Sequence, residues 1–167
     1  MNFFRMYTMR LYQLNKNDLV VQSPKKQVEY VPITYENLHW AKSFSKERQF
    51  RKYLKMGDFG YYAILGGNPI GYGWEKQSGS KDLFYKVNSG SYLGKFYVDN
   101  KYRGNNIYPS MIAQLVKHSS SENFYIAAYN TNISSLRGLE KTGFSFLRED
   151  TVFRIFKITL NKKLLKK

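Results

Sequence analysis

The chain has 167 residues, with 27 lysines and arginines against 12 aspartates and glutamates, so its formal net charge is +15. Hydrophobic residues make up 43% and cysteine is absent, which predicts one domain with a substantial core and excludes disulfides, thiolate zinc sites and a cysteine nucleophile. Because no apolar run approaches the roughly 20 residues that span a bilayer and the opening residues lack a signal-peptide pattern, we expect a cytoplasmic protein.

The first third of the chain carries short strand and helix patterns. Residues 9–14 and 25–31 can each form a strand. Thr34 is of a residue type that caps helices, and apolar residues recur after it at helical spacing. A second helical stretch runs over 46–56 and ends at Gly57, because glycine ends helices at little cost.

The remaining two thirds predict an alternation of strands and helices. The expected order is a hairpin, a long strand, a helix, a strand, a helix and a closing hairpin. A strand, a helix and a strand in succession form a crossover unit, so the two strands of that unit are expected to be parallel neighbours. The ranges are 61–65 and 70–75 for the first hairpin, a loop over 77–90, then 91–98, 107–119, 124–128, 132–141, and 144–147 with 152–160 for the closing hairpin.

The junction between the strand at 91–98 and the following helix is the strongest candidate binding feature. Arg103 and Gly104 stand just before the helix, whose free N–H groups and positive dipole end favour an anion. Gly104, Asn105 and Asn106 are residue types that tolerate unusual backbone angles, so successive amides can curl around a phosphate. The alternative interpretation is a basic turn that only caps the helix.

Two motifs resemble those of the GNAT superfamily of N-acetyltransferases. Tyr-Arg-Gly-Asn-Asn-Ile-Tyr at 102–108, between a strand and an amphipathic helix, is similar to that family's acetyl-CoA loop. Asn-Ile-Ser-Ser-Leu-Arg-Gly-Leu-Glu-Lys-Thr-Gly-Phe at 132–144 is similar to its second motif. The motifs follow in the family's order, and the resemblance covers roughly residues 58–160.

The resemblance implies a single α/β domain of the mixed α+β kind. Its central mixed twisted sheet would have about six or seven strands, splayed into a V between the strands at 91–98 and 124–128 and flanked by helices. The domain is expected to span 1–160, with a variable front part at 1–57 and a cofactor-binding core at 58–160. Residues 161–167 are expected to form a basic tail.

The resemblance also implies acetyl-CoA as co-substrate and no metal. Its pantetheine would pair with the strand backbone around Phe96, Tyr97 and Val98, and its pyrophosphate would rest on the loop amides. Asn132 would bind the pantetheine arm, and Ser135 lies where the family often contacts the cofactor. The implied loop residues are Arg103, Gly104, Asn105, Asn106, Ile107 and Tyr108.

Three positions depart from the family's pattern. Asn106 and Tyr108 stand where the usual loop has glycine or a small residue, and Tyr108 adds bulk there. Leu139 replaces the tyrosine that many members use as general acid. Tyr129 or Tyr108 could substitute as the acid, and water is a further option. Glu75 is the best available carboxylate for the base, against the alternative of an exposed glutamate at a strand end.

The implied reaction is acetyl transfer from CoA to the amine of a small molecule, with an amino sugar or sugar nucleotide as the favoured acceptor. The loop variant Arg-Gly-x-x-Ile-Tyr together with Gly-Leu-Glu-Lys-x-Gly-Phe is similar to bacterial members associated with surface-polysaccharide synthesis. Two alternatives remain: a basic module that binds nucleic acid, and a CoA-binding GNAT protein without catalysis. No membrane span is expected, nucleic acid is the less favoured partner, and a homodimer is left open.

The charge is unevenly distributed along the chain. Residues 1–57 carry 11 basic and 4 acidic groups, residues 58–100 carry 4 of each, and residues 101–167 carry 12 and 4. A neutral middle between basic ends argues against a continuous nucleic-acid stripe. The excess of positive charge in residues 101–167 is consistent with an anionic cofactor at the loop. The excess of positive charge in residues 1–57 indicates phosphates on the acceptor.

Overall fold

The computed structural model describes residues 4–77, 89–155 and 158–161, which form one eight-stranded mixed sheet with helices packed on it. The predicted mixed α/β architecture is confirmed. Its strands are β1 (Phe4–Asn15), β2 (Glu29–Pro32), β3 (Phe59–Leu65), β4 (Asn68–Gln77), β5 (Ser91–Val98), β6 (Asn123–Tyr129), β7 (Ser145–Ile155) and β8 (Ile158–Asn161). Its α-helices are α1 (Glu47–Lys55), α2 (Ile107–His118) and α3 (Ile133–Lys141), and the 3₁₀ helix Leu38–Phe44 precedes α1.

The strand nearest the amino terminus lies inside the sheet, in the order β2-β3-β4-β5-β6-β1-β7-β8. β1 pairs antiparallel with β6 on one side and with β7 on the other. The strand predicted at 9–14 is therefore present, but its position could not be predicted because its partners lie more than 100 residues away. The boundary expected at residue 57 remains a prediction, although β1 is an integral strand of the sheet.

The two central parallel strands separate after three residue pairs. β5 pairs with β6 only over Ser91–Leu93, opposite Phe124–Ile126. Lys95 then has a φ of 57°, and the register of β4 with β5 shifts at this point, which is the signature of a β-bulge. Beyond the bulge β5 follows β4 while β6 follows β1, so the predicted V is confirmed.

Helices cover the two faces of the sheet with different cores. On the α2 face, Leu93, Ile126 and Leu139 pack with the buried side of α2 and α3. On the α1 face, Phe50 and Trp74 are buried members of an aromatic cluster that packs against α1 and the 3₁₀ helix. The helices form because their apolar residues recur every three or four positions and meet these faces.

Some predicted local features differ from the structure. The expected closing hairpin is present, because β7 pairs antiparallel with β8, but the turn expected near residue 150 is wrong. Residues 145–155 form one strand, because its polar middle pairs along β1 and Arg10 bonds to Glu149 at 2.9 Å. Thr34 does not cap a helix; its amide donates to the Asn37 side chain, and the 3₁₀ helix begins after Asn37. Most of the expected loop at 77–90 and the tail from 162 lie outside the described residues.

One buried ion pair joins the start of β3 to the end of β4. The Lys76 Nζ lies 2.7 Å from an Asp58 carboxylate oxygen, and the two side chains are 1% and 2% exposed. The same ammonium lies 4.0 Å from the centroid of the Tyr53 ring of α1. A buried charge of this kind is stable only while its partner is present.

We therefore expect Asp58→Ala to lower the free energy of unfolding by about 3–5 kcal/mol, because it leaves the Lys76 ammonium buried and unpaired. The double replacement Asp58→Leu with Lys76→Met removes both charges and should recover most of that loss. Urea denaturation of the three proteins measures both effects. An Asp58→Ala protein as stable as the parent would show that Lys76 does not depend on this pair.

Candidate active site

The open end of the V is lined on one side by the last residues of β5. Tyr97 and Val98 pair with β4, and no strand pairs with their other edge among the described residues. The Phe96 ring lies on the α2 face, 5.1 Å from the Tyr108 ring, whereas Tyr97 stacks on Tyr72 on the α1 face. The sequence-predicted segment Phe96, Tyr97 and Val98 is thus at the edge that the splaying exposes.

The loop after β5 presents free amides at the start of α2. Gly104 has a φ of 78° and Asn106 a φ of 57°, so the loop takes the left-handed turns that its residue types allow. Among the described residues, no hydrogen bond is donated by the backbone amides of 104–108. The Asn106 side chain does not cap α2, and its first turn has no acidic residue. These features together make a site for an anion.

Arg103 is held at the mouth of the V. Its Nε donates to the carbonyl oxygen of Val98 at 3.1 Å, which turns the guanidinium back along the end of β5. The side chain of Asn105 donates to the Tyr102 carbonyl oxygen at 2.9 Å and stiffens the loop. Of the predicted loop residues, Arg103 and Gly104 are exposed and Asn105 and Asn106 half-buried, whereas Ile107 is buried in the core beneath the loop.

A second basic segment, which the sequence analysis did not assign to this site, crosses the same loop. We call residues 19–28 the strap. The Lys25 amide donates to the Asn105 carbonyl oxygen at 2.9 Å, and the Asn106 side chain donates to the Ser23 carbonyl oxygen at 3.4 Å. These bonds put Lys25 and its neighbour Lys26 beside the loop. The only signal in the sequence for a basic segment beside the loop was the excess of basic residues in 1–57.

The start of α3 closes the site on the β6 side. The Asn132 side-chain oxygen accepts hydrogen bonds from the Ser135 amide at 3.3 Å and the Ser134 hydroxyl at 3.1 Å. Asn132 is therefore the N-cap of α3, a role for which asparagine is well suited. The contacts of Asn132 and Ser135 with a cofactor stay predictions.

A tyrosine fills the space beside the loop, and a glycine makes room for it. A Cβ added to Gly138 would lie 2.8 Å from the Tyr108 ring. Leu139, in the position of the family's tyrosine, is fully buried in the core of the α2 face. The bulk that Tyr108 adds is thus accommodated between α2 and α3.

Two further tyrosines lie near the V. Burial raises the pKa of Tyr92 and of Tyr108, and the two side chains are close enough to influence each other. In the sequence Tyr92 is one residue of a predicted buried strand, so no local signal marks it as a candidate site residue. Tyr129, the predicted general acid, is 45% exposed at the end of β6, with its ring 5.2 Å from that of Tyr7.

Glu75, the predicted base, lies in a buried hydroxyl network. It is 2% exposed, and its Oε1 accepts hydrogen bonds from the hydroxyls of Ser91 at 2.6 Å and Ser119 at 2.5 Å. The Ser91 oxygen is 2.6 Å from that of Ser121. Because Ser119 follows α2 directly, the carboxylate faces the end of that helix and is not an exposed strand-end glutamate.

The described part of the chain contains no cluster of three or more His, Asp or Glu residues that could hold a metal ion. It also contains no helix long and apolar enough to cross a membrane.

No family model matches the chain, and no curated protein matches it in sequence. Solved structures share its fold. An acetyltransferase of the GNAT family from Colwellia psychrerythraea superposes with a TM-score of 0.69 at 14% identity, over 92% of this chain and 57% of that one. A GCN5-related N-acetyltransferase-like protein from Streptococcus suis gives 0.65 at 13%, over 92% and 63%. An aminoglycoside N-acetyltransferase in complex with CoA gives 0.60 at 13%, over 78% and 95%.

These similarities show that the chain has the GNAT fold. At such low identities they bear on the fold alone. The chain spans less than two thirds of the first two of these structures, at 57% and 63% of their lengths.

The contact between Gly138 and Tyr108 makes a prediction about stability. Alanine in a helix is normally about 0.5–1 kcal/mol better than glycine, but here the added methyl group would collide with the Tyr108 ring. We expect Gly138→Ala to destabilise the protein by about 1–3 kcal/mol, the usual cost of overpacking. In a Tyr108→Ala background the same change should be neutral or stabilising.

A double-mutant cycle followed by urea denaturation measures this coupling. The result that contradicts the prediction is an equal effect of Gly138→Ala in both backgrounds.

Proposed function

We propose that the protein is an acetyl-CoA-dependent N-acetyltransferase acting on a small amine. The observation that carries this proposal is the loop of unpaired amides from 104 to 108, set at the start of α2 and beside strands that separate after Leu93. A phosphate-rich ligand with a long amide-bearing arm suits such a pair of features, and acetyl-CoA has both. The fold shared with GNAT acetyltransferases supports the proposal.

In this proposal the cofactor's pyrophosphate binds the amides of the loop. Arg103 contributes its guanidinium, and Lys25 and Lys26 add positive charge from the strap, which is bonded to the loop at Asn105. The pantetheine arm follows the free edge of β5 at 96–98, where its amides can pair as an added strand does. Asn132 and Ser135 are the proposed contacts near the start of α3.

Acetyl-CoA supplies an activated thioester, and the residues of the chain would hold the amine and move two protons. We propose Tyr129 as the donor of a proton to the leaving sulfur, since its exposed side chain ends β6 at the open side of the V. Tyr108 is the second candidate, because it is the last residue of the loop and its ring packs on Phe96 of β5.

We propose Glu75 as the group that receives the proton of the acceptor ammonium. Its burial prevents direct contact with an amine. The proton would therefore have to reach it through water from the open end of the V, because the hydroxyls that hold Glu75 lie at the start of β5 and the end of α2.

The favoured acceptor is an amino sugar or a sugar nucleotide, and the proposed location is the cytoplasm. A role in bacterial surface-polysaccharide synthesis would follow from such an acceptor. The oligomeric state proposed is a monomer or homodimer.

The first test is binding and turnover of acetyl-CoA. A ligand that binds only the folded protein stabilises it by about 2.7 kcal/mol at 100 times its dissociation constant, which corresponds to a rise of roughly 5 °C or more in Tm for a chain of this size. We expect this rise with acetyl-CoA, and release of free CoA when a panel of amines is supplied. No change of Tm at millimolar acetyl-CoA would overturn the proposal.

The strap offers a matched control for that test. Lys25→Ala with Lys26→Ala should shrink the thermal shift and weaken acetyl-CoA binding about tenfold, more strongly at low salt. Lys117→Ala removes one exposed lysine at the other end of α2 and should leave the shift unchanged. If acetyl-CoA raises the Tm but no amine in the panel causes release of CoA, the result favours a protein that binds CoA without catalysis.

The acid and base assignments predict losses of kcat in the matching variants. Removal of one general acid or base typically costs about 100-fold or more in rate. Glu75→Gln should lower kcat about 100-fold. Tyr129→Phe should lower kcat by a similar factor, and acetyl-CoA should still raise the Tm of both variants.

Tyr108→Phe keeps the ring that packs on Gly138 and serves as the comparison. If it, and not Tyr129→Phe, lowers kcat, the acid is Tyr108. If Glu75→Gln lowers Tm but leaves kcat unchanged, Glu75 only holds β4, β5 and the end of α2 together.

A further inference from the structure

A cationic pocket lies where the 3₁₀ helix meets α1. It has a volume of about 490 Å³ and is lined by Lys42, Ser45, Glu47, Arg48 and Arg51. Ser45 has a φ of 54°, and this left-handed turn sets the first turn of α1 against the end of the 3₁₀ helix. The pocket is thus formed by two helical elements that meet at a sharp bend.

The charges that line the pocket are not balanced. Arg51 lies 3.6 Å from Glu47, its neighbour one turn earlier on α1. Neither Lys42 nor Arg48 has an acidic partner among the described residues. Three cations therefore surround one carboxylate, and two of the cations remain available to an anion.

The pocket lies on the α1 face of the sheet, close to the open end of the V. Phe44, which directly precedes Ser45, packs on Tyr97 of β5 with ring centroids 5.5 Å apart and on Tyr72 of β4 at 5.0 Å. The loop and strap lie at the start of α2. Phe44 therefore connects the wall of this pocket to the end of β5 on the α1 face.

A buried hydroxyl without a partner lies beneath the same place. Tyr62 is fully buried, and its hydroxyl makes no hydrogen bond within the described residues. Its ring packs on those of Phe44 and Phe50, which adjoin pocket residues in the chain. Burial raises the pKa of its hydroxyl, and the Glu47 carboxylate is a smaller cause. Buried polar atoms are nearly always paired, and an unpaired one indicates a missing partner such as a ligand or water.

We propose that this pocket binds a phosphoryl group on the acceptor amine. The inference rests on the proposed transferase function and names its substrate class: small amines that also carry a phosphate. Arginine binds phosphate through two parallel N–H bonds and lysine binds it as a point charge. Because both types line the pocket, a phosphate is favoured over a neutral sugar.

The same charges select against other amines. A polycationic amine would bring its positive groups close to Lys42, Arg48 and Arg51, and like charges at an interface cost binding energy. The pocket therefore disfavours acceptors with several amino groups and no anionic group.

The test compares matched amines that differ only in a phosphate: ethanolamine with phosphoethanolamine, and glucosamine with glucosamine 6-phosphate. We expect the parent protein to prefer the phosphorylated member of each pair in kcat/KM for CoA release. Lys42→Ala with Arg48→Ala should reduce that preference about tenfold or more, since one charge-assisted contact is worth about that factor. Lys55→Ala, an exposed change in the last turn of α1, should retain it.

A binding measurement separates this proposal from the transferase proposal. Titration of inorganic phosphate, followed through the Nε–H signals of labelled arginine, should move the Arg48 and Arg51 signals in the absence of acetyl-CoA. If these signals move but no amine causes release of CoA, the transferase proposal is refuted and the proposal that the pocket binds phosphate stands. CoA release without preference for phosphorylated amines, and with no movement of these signals, would overturn the pocket.

Discussion

The separation of β5 from β6 after Leu93 is the constraint on which the rest of the candidate site depends. Parallel neighbours would normally pair along their whole length, because each unpaired strand edge leaves backbone donors and acceptors unused. Here the bulge at Lys95 redirects β5 toward β4, while β6 stays with β1. The free edge at 96–98 and the loop that follows are therefore exposed by one backbone feature, and β1 is what keeps β6 in place when β5 leaves it.

The unusual residues around the loop are explained once their contacts are considered together. Asn106 takes the left-handed conformation that a glycine would provide at this place. Tyr108 occupies space beside α3 that is open only because residue 138 has no side chain. Leu139 points into the core, so a tyrosine there would have to displace buried packing. Two of the three departures from the GNAT motif thus fit their surroundings: Gly138 leaves space for the Tyr108 ring, and Leu139 fills the core.

The sequence predicted the elements whose signals are local, and it failed where the deciding contact is distant. The strand at 91–98 and the helices that begin near 107 and 133 followed from periodicity and from turn residues. The polar segment at 148–150 resembled a turn, yet it pairs with β1 and is held by side-chain ion pairs. The surroundings of Glu75 depend on Ser119, 44 residues away, and the path of the strap over Asn105 depends on residues 80 positions later. No local pattern encodes such contacts.

The distribution of positive charge in space also bears on the alternative of nucleic-acid binding. The strap brings Lys25 and Lys26 to the start of α2, whereas Lys42, Arg48 and Arg51 lie with α1. The sheet separates these two clusters, so one polyanion that tracked both would have to pass around its edge. Two separate anionic groups that approach from opposite faces meet no such obstacle. The separation of these two clusters therefore weighs against one continuous nucleic acid, and it is compatible with the two phosphate-bearing ligands proposed above.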